Sequence, residues 1–145
     1  MKKLVLLLSF ILSVTLVAKD DIKTQNMPTD EMIKQNIEIV KLASEEMQKT
    51  LPQKVDKYTT LEKVEGKDTT LIYVFEINTG AKSDETIIKE DKSRMKKAVT
   101  SGICQSAKRF LDAQIDITYM YRSSTSKVEL FQFDVSQKDC PRTDR

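Results

Sequence analysis

The chain has no histidine and no tryptophan among its 145 residues, and only three glycines, three prolines and two cysteines. Without an imidazole there is no Ser-His-Asp or Cys-His nucleophile pair, no base titrating near neutral pH and no histidine-containing zinc site. Few glycines and prolines mean few sharp turns, so most of the chain reads as regular structure with short connections. There is no glycine-rich phosphate loop and no calcium loop. Asp84, Glu85, Glu90 and Asp91 lie close in sequence, but they lack the required glycine and spacing and follow a helical period. The expectation is no catalytic residue, no cofactor and no metal ligand, hence not an enzyme. Paired carboxylates working as acid and base stay open as a separate reading, since no spacing among the 22 Asp and Glu singles out a pair.

What is present is enough for one modest core: 39% hydrophobic residues in a length suited to one domain, with 32% charged residues for a solvated surface. Residues 1–18 read as a signal peptide. Lys2 and Lys3 form a basic head, residues 4–17 are apolar apart from Ser9, Ser13 and Thr15, and Ala18 is the small residue before cleavage. The apolar run is shorter than the ~20 residues of a membrane span. No cysteine lies beside it to accept a lipid, so no stable membrane anchor is expected after cleavage. The implied destination is a bacterial periplasm. Loss of Lys2 and Lys3 brings basic and acidic groups into balance, which removes the bulk electrostatic case for nucleic acid or anionic lipid.

Residues 19–28 read as a flexible leader and residues 29–145 as a single domain. A first helix starts at a cap on Thr29 or Asp30 and stops near Thr50, because Pro52 forbids continuation. Ile33, Ile37, Val40, Met47 and Leu51 form one apolar stripe expected to face the core. Met32, Ile39 and Ala43 form a second apolar edge, more than one buried stripe requires. The texture then turns to period two. Residues 55–64 and 69–78 read as a hairpin turning at Gly66, Lys67 and Asp68. The second of these strands is apolar on both faces around Leu71–Phe75, as if covered on both sides. Ser83 or Asp84 caps a second helix carrying Ile87, Ile88, Met95, Ala98 and Val99, with Gly102 placed as its C-terminal cap. A short helical piece over 104–112 precedes two further strands, 115–121 and 128–135. The strand aromatics Tyr73, Phe75, Tyr119, Tyr121, Phe131 and Phe133 are expected in the core rather than as a stacking platform. The fold class is therefore α+β: helix–hairpin–helix–hairpin, with an antiparallel sheet of about four strands and helices on one face.

Cys104 and Cys140 form an even pair in an exported chain, for which one disulfide is the expected state. A redox dithiol would favour a local C-x-x-C, and two thiolates without histidine make a poor zinc site.

The segment from Leu51 to Cys140 resembles the small α/β pilotins of type II secretion systems and related periplasmic proteins. The shared marks are a helix ending in Leu51-Pro52, two strands, and a helix leading to Cys104. Phe110-Leu111 and Ile115 then enter a strand, and a last strand closes at Cys140. The resemblance implies paired cysteines and a binding role, since a pilotin captures a helical segment of the secretin subunit and delivers it to the outer membrane. Pilotins typically carry a lipidated cysteine after the signal peptide; Val17-Ala18-Lys19 offers none. The leading expectation is a periplasmic, non-enzymatic protein-binding or assembly-factor module whose partner is another exported or outer-membrane protein. The alternative is an inhibitor or immunity-type protein acting on an envelope enzyme, working through a protruding loop at residues 80–84 or 123–126.

Overall fold

The computed structural model describes residues 30–141. The expected signal peptide (1–18), the leader (19–28) and the cap at Thr29 lie outside the described residues. Helix α1 (Asp30–Gln48) is followed by strands β1 (Gln53–Lys54), β2 (Thr59–Lys67) and β3 (Thr70–Ile77). Helices α2 (Asp84–Ser106) and α3 (Lys108–Asp112) lead to strands β4 (Asp116–Ser123) and β5 (Glu129–Val135), and a single 3-10 turn spans Gln137–Asp139.

The sheet has five strands in the order β1-β2-β3-β4-β5 and is mixed, which corrects the expected antiparallel sheet of about four. The two hairpins are antiparallel, but β3 and β4 run parallel in register from Thr70↔Asp116 to Ile77↔Ser123. The α2–α3 segment carries the chain from one end of β3 back to the start of β4, and such a crossover leaves its flanking strands parallel. The added strand β1 pairs Gln53 with Leu61 and Lys54 with Thr60. Two polar residues after a proline leave no alternation for a sequence reading to detect.

Three ladder rows build the core on one face: Leu71–Ile117–Val135, Tyr73–Tyr119–Phe133 and Phe75–Tyr121–Phe131. Val40 of α1, Ile103 of α2, Leu111 of α3 and Ile115 join the first row in one buried cluster. Ile87, Ile88, Met95 and Val99 of α2 pack around the aromatic rows. The alternation of every strand thus points its larger apolar side chains at the helices. No described helix covers the other face. There Val74 is still only 4% exposed, set in the ladder between Lys63 and Met120. Thr118 donates to Asp134 Oδ1 at 2.7 Å on that same open face. Coverage of β3 on both sides is therefore not provided by helices.

Two glycines act differently from their expected roles. Gly66 lies within β2 rather than in the turn, and a Cβ there would stand 2.8 Å from Val40 Cγ1 and 3.1 Å from Val40 O. Its bare backbone lets α1 approach the sheet; the turn residue proper is Asp68, at φ 50. Gly102 is interior to α2, which runs on to Ser106 and breaks at Ala107, whose N–H donates to Ile103 O at 2.8 Å. Burial of Ile103 one residue later extends the helix past the glycine, so packing overrides propensity. Ser83 caps α2 by accepting from Thr86 N at 3.3 Å.

Cys104 in α2 and Cys140 after the 3-10 turn are joined by a disulfide, Cα–Cα 5.5 Å, closing a sequence separation of 36. It fastens the end of the chain that follows β5 to the last turns of α2.

Candidate functional site

Helix α1 buries only Asn36, Val40 and Ser44 along its length. That stripe is narrow and partly polar because the helix rests on the bare backbone of Gly66. Asn36 Nδ2 donates to Ala113 O at 2.7 Å, and Val64 N donates to Gln48 Oε1 at 3.0 Å, so each half of the helix is tethered by a polar bond. The expected core stripe therefore divides. Val40 is buried, Met47 and Leu51 pack partly against the core, and Ile33 and Ile37 are exposed. Of the second edge, Ala43 packs against the core while Met32 and Ile39 are exposed. Leu42, which lies on neither line, is 55% exposed. Exposed aliphatic side chains are thus concentrated on α1, which makes this helix the candidate site.

The same helix borders an aromatic strip. Helix α1 lies over β2 and β3 while α2 lies over β4 and β5, and the two are not extensively packed against each other. Beneath the gap, half-buried Tyr73 and Tyr119 meet at 5.2 Å between ring centroids, and Phe75 adjoins Tyr119 at 4.8 Å. Tyr73 also points its hydroxyl at Met47 Sδ, 3.4 Å away. Burial, helped by the neighbouring Tyr119, pushes the Tyr73 phenol up to about 12. Burial raises Tyr119 and Tyr121 as well. The strip is therefore uncharged across the physiological range and suited to apolar contact. Helical spacing puts Ile39 and Ala43 on the flank of α1 that carries Asn36, the flank turned toward α3 and β4.

The two candidate loops of the inhibitor reading do not stand apart. Ser126 Oγ donates to Asp84 Oδ2 at 2.5 Å, which ties the β4–β5 turn to the start of α2. Lys127 adds an ion pair with Glu76 at 2.8 Å. Three of the four neighbouring acids, Asp84, Glu90 and Asp91, are likewise engaged with separate partners. Asp84 holds Ser126, Glu90 pairs with Lys82 at 3.0 Å, and Asp91 pairs with Arg94 at 2.5 Å. Among the described residues no cluster of three or more His, Cys, Asp or Glu converges on a metal-sized site. No described helix is long and apolar enough to cross a membrane.

Sequence reading missed Leu42 and the exposure of Ile33 and Ile37. The available signal was that α1 carries apolar residues on too many sides to bury them all against one sheet.

An α+β scaffold with a mixed five-stranded sheet, helices on one face and one disulfide defines the class. Residues 34–131 match the family described as a domain of unknown function, DUF8479, and the chain belongs to that family. No curated protein matches the sequence. Three solved structures share the fold. A candidate secreted protein of Pseudomonas aeruginosa superposes with a TM-score of 0.67 at 9% identity, over 78% of this chain and 99% of its own. The type 2 secretion pilotin EpsS of Vibrio vulnificus gives 0.62 at 15% identity, covering 79% of this chain and 100% of its own. The type II secretion pilotin AspS of Vibrio cholerae gives 0.57 at 16%, covering 76% and 96%. The resemblance to pilotins thus holds at the level of the fold, at low sequence identity.

Proposed function

We propose that this protein is an exported, non-enzymatic binding module that docks a helical segment of an envelope protein, in the manner of a pilotin receiving part of a secretin. The observation that carries this reading is the pair of exposed aliphatic side chains Ile39 and Leu42 on the Asn36 flank of α1, the flank turned toward the neutral Tyr73–Tyr119 strip. An amphipathic partner helix laid along that flank would cover Ile39 and Leu42, each covered side chain contributing roughly 1 kcal/mol. The sheet and the polar tethers at Asn36 and Gln48 hold the surface in place beforehand, which lowers the ordering cost of binding. Fold likeness to two pilotins, over 79% and 76% of this chain, supports the reading, and the signal-peptide pattern of residues 1–18 supports export to the periplasm.

The test places a photo-crosslinking amino acid at Ile39 or Leu42 in cells and identifies adducts by mass spectrometry. A control probe at Glu65, on the uncovered face of the sheet, reports background. The expected adduct from α1 is a secretin or another outer-membrane assembly subunit, absent from the Glu65 probe. Identical adducts from both positions, or none from α1, would end the proposal.

A further inference from the structure

A second surface lies beside the disulfide. The last turns of α2, helix α3 and the 3-10 turn enclose a cleft of about 1280 Å³, with both cysteines and Leu111 in its lining. That volume exceeds the roughly 300–1,000 Å³ of ordinary small-molecule pockets and suits a stretch of polymer. Four lysines border it: Lys96 and Lys97 from α2, Lys108 from α3 and Lys138 from the 3-10 turn.

The two carboxylates in the lining are already engaged. Asp112 takes Lys108 at 2.7 Å, and Asp139 accepts from Ser136 N at 2.8 Å and Ser136 Oγ at 2.7 Å. These partners hold both carboxyls below the usual carboxylate range. Lys138 is felt by Asp116 and Asp139, and Lys96 by Asp139, yet among the described residues Lys96, Lys97 and Lys138 make no ion pair within 4 Å. Positive charge is thus left over at this cleft in a chain of formal net charge only +2. Gln105 and Gln114 offer side-chain amides, able to donate to and accept from a peptide backbone.

We infer that this cleft docks an acidic peptide segment of a partner protein, at a site separate from the apolar surface of α1. Its lining contains no aromatic ring on which a base could stack, which disfavours single-stranded nucleic acid. It is concave, whereas a lipid surface needs a flat or protruding basic face. The Cys104–Cys140 bridge lies in the lining and fixes two of the walls against each other.

The experiment is fluorescence anisotropy of the oxidised protein with a dye-labelled peptide of alternating glutamate and serine. The same peptide with glutamine for glutamate is the control. Wild-type protein is expected to bind the acidic peptide, more weakly as salt rises, and to ignore the control. Combined Lys96→Glu and Lys97→Glu substitutions, both on an exposed helix surface, are expected to weaken binding about tenfold while leaving the circular dichroism melt unchanged. Equal binding of both peptides, or of the acidic peptide to wild type and variant, overturns the assignment. So does binding confined to anionic vesicles or single-stranded DNA run in parallel. The lysine variant should retain α1 crosslinks, and Ile39→Glu with Leu42→Glu should retain peptide binding, so the two sites fail separately.

Discussion

The α1 side and the α2 side of the sheet face obey the same packing rules and end differently. On the α2 side, Ile103, Leu111 and Ile115 close over Ile117 and Val135, aromatic rows fill the middle, and a disulfide locks the far end. All the larger aliphatic residues that α2 turns toward the sheet meet a neighbour. On the α1 side, a helix of 19 residues is seated by one buried valine, a polar tether at each half and a glycine. Five of its aliphatic side chains are left exposed. One side closes its apolar surface over the core, and the other leaves part of it in water.

The largest test of that contrast is the bridge. Replacing Cys104 and Cys140 together by serine should cost about 4 kcal/mol in the chain-entropy model for a loop of this length, read as a lower denaturant midpoint. A change under ~1 kcal/mol would mean that the α2 side does not depend on its clasp. Next, Ile103→Ala should cost about 3 kcal/mol through the cavity it leaves, whereas Ile37→Ala on α1 should stay within about 0.5 kcal/mol. Equal losses in chemical denaturation would erase the distinction between the two sides. A smaller effect, about 2 kcal/mol, is expected for Gly66→Ala, because the new methyl group overlaps Val40. Val40→Ala in the same chain should recover part of it, and strict additivity in the double-mutant cycle would contradict the close seating. The smallest stability change, within about 0.5 kcal/mol, belongs to Ile39→Glu with Leu42→Glu. With the crosslinking probe moved to exposed Gln35, one turn away on the same flank of α1, that pair should nevertheless abolish the crosslinks while the melting curve stays in place.

Much of the fold was legible because it rests on local periodicity. The stop before Pro52, the Ser83 cap, the alternation of Ile117, Tyr119 and Tyr121, and the pairing of the only two cysteines are short-range or compositional signals. What escaped is what depends on elements meeting. The parallel β3–β4 contact arises only when the α2–α3 crossover returns the chain to the same end of the sheet. Gly66 reads as a turn residue until Val40 is set over it, and Gly102 reads as a cap until Ile103 is buried. The candidate surface on α1 was half visible. An excess of apolar positions could be counted, yet which of them the sheet would cover depended on where the helix crossed it. The basic cleft was invisible, because Lys108 and Lys138 approach Lys96 and Lys97 only once the chain has folded back on α2.

The amino-acid order alone decided that imidazole chemistry is not available, where α2 begins, and which two sulfurs could meet, since each follows from residue type and near neighbours. Tertiary structure decided which apolar side chains stay in water and which lysines crowd together. Both depend on distances between segments far apart in the chain, and no local pattern encodes such distances.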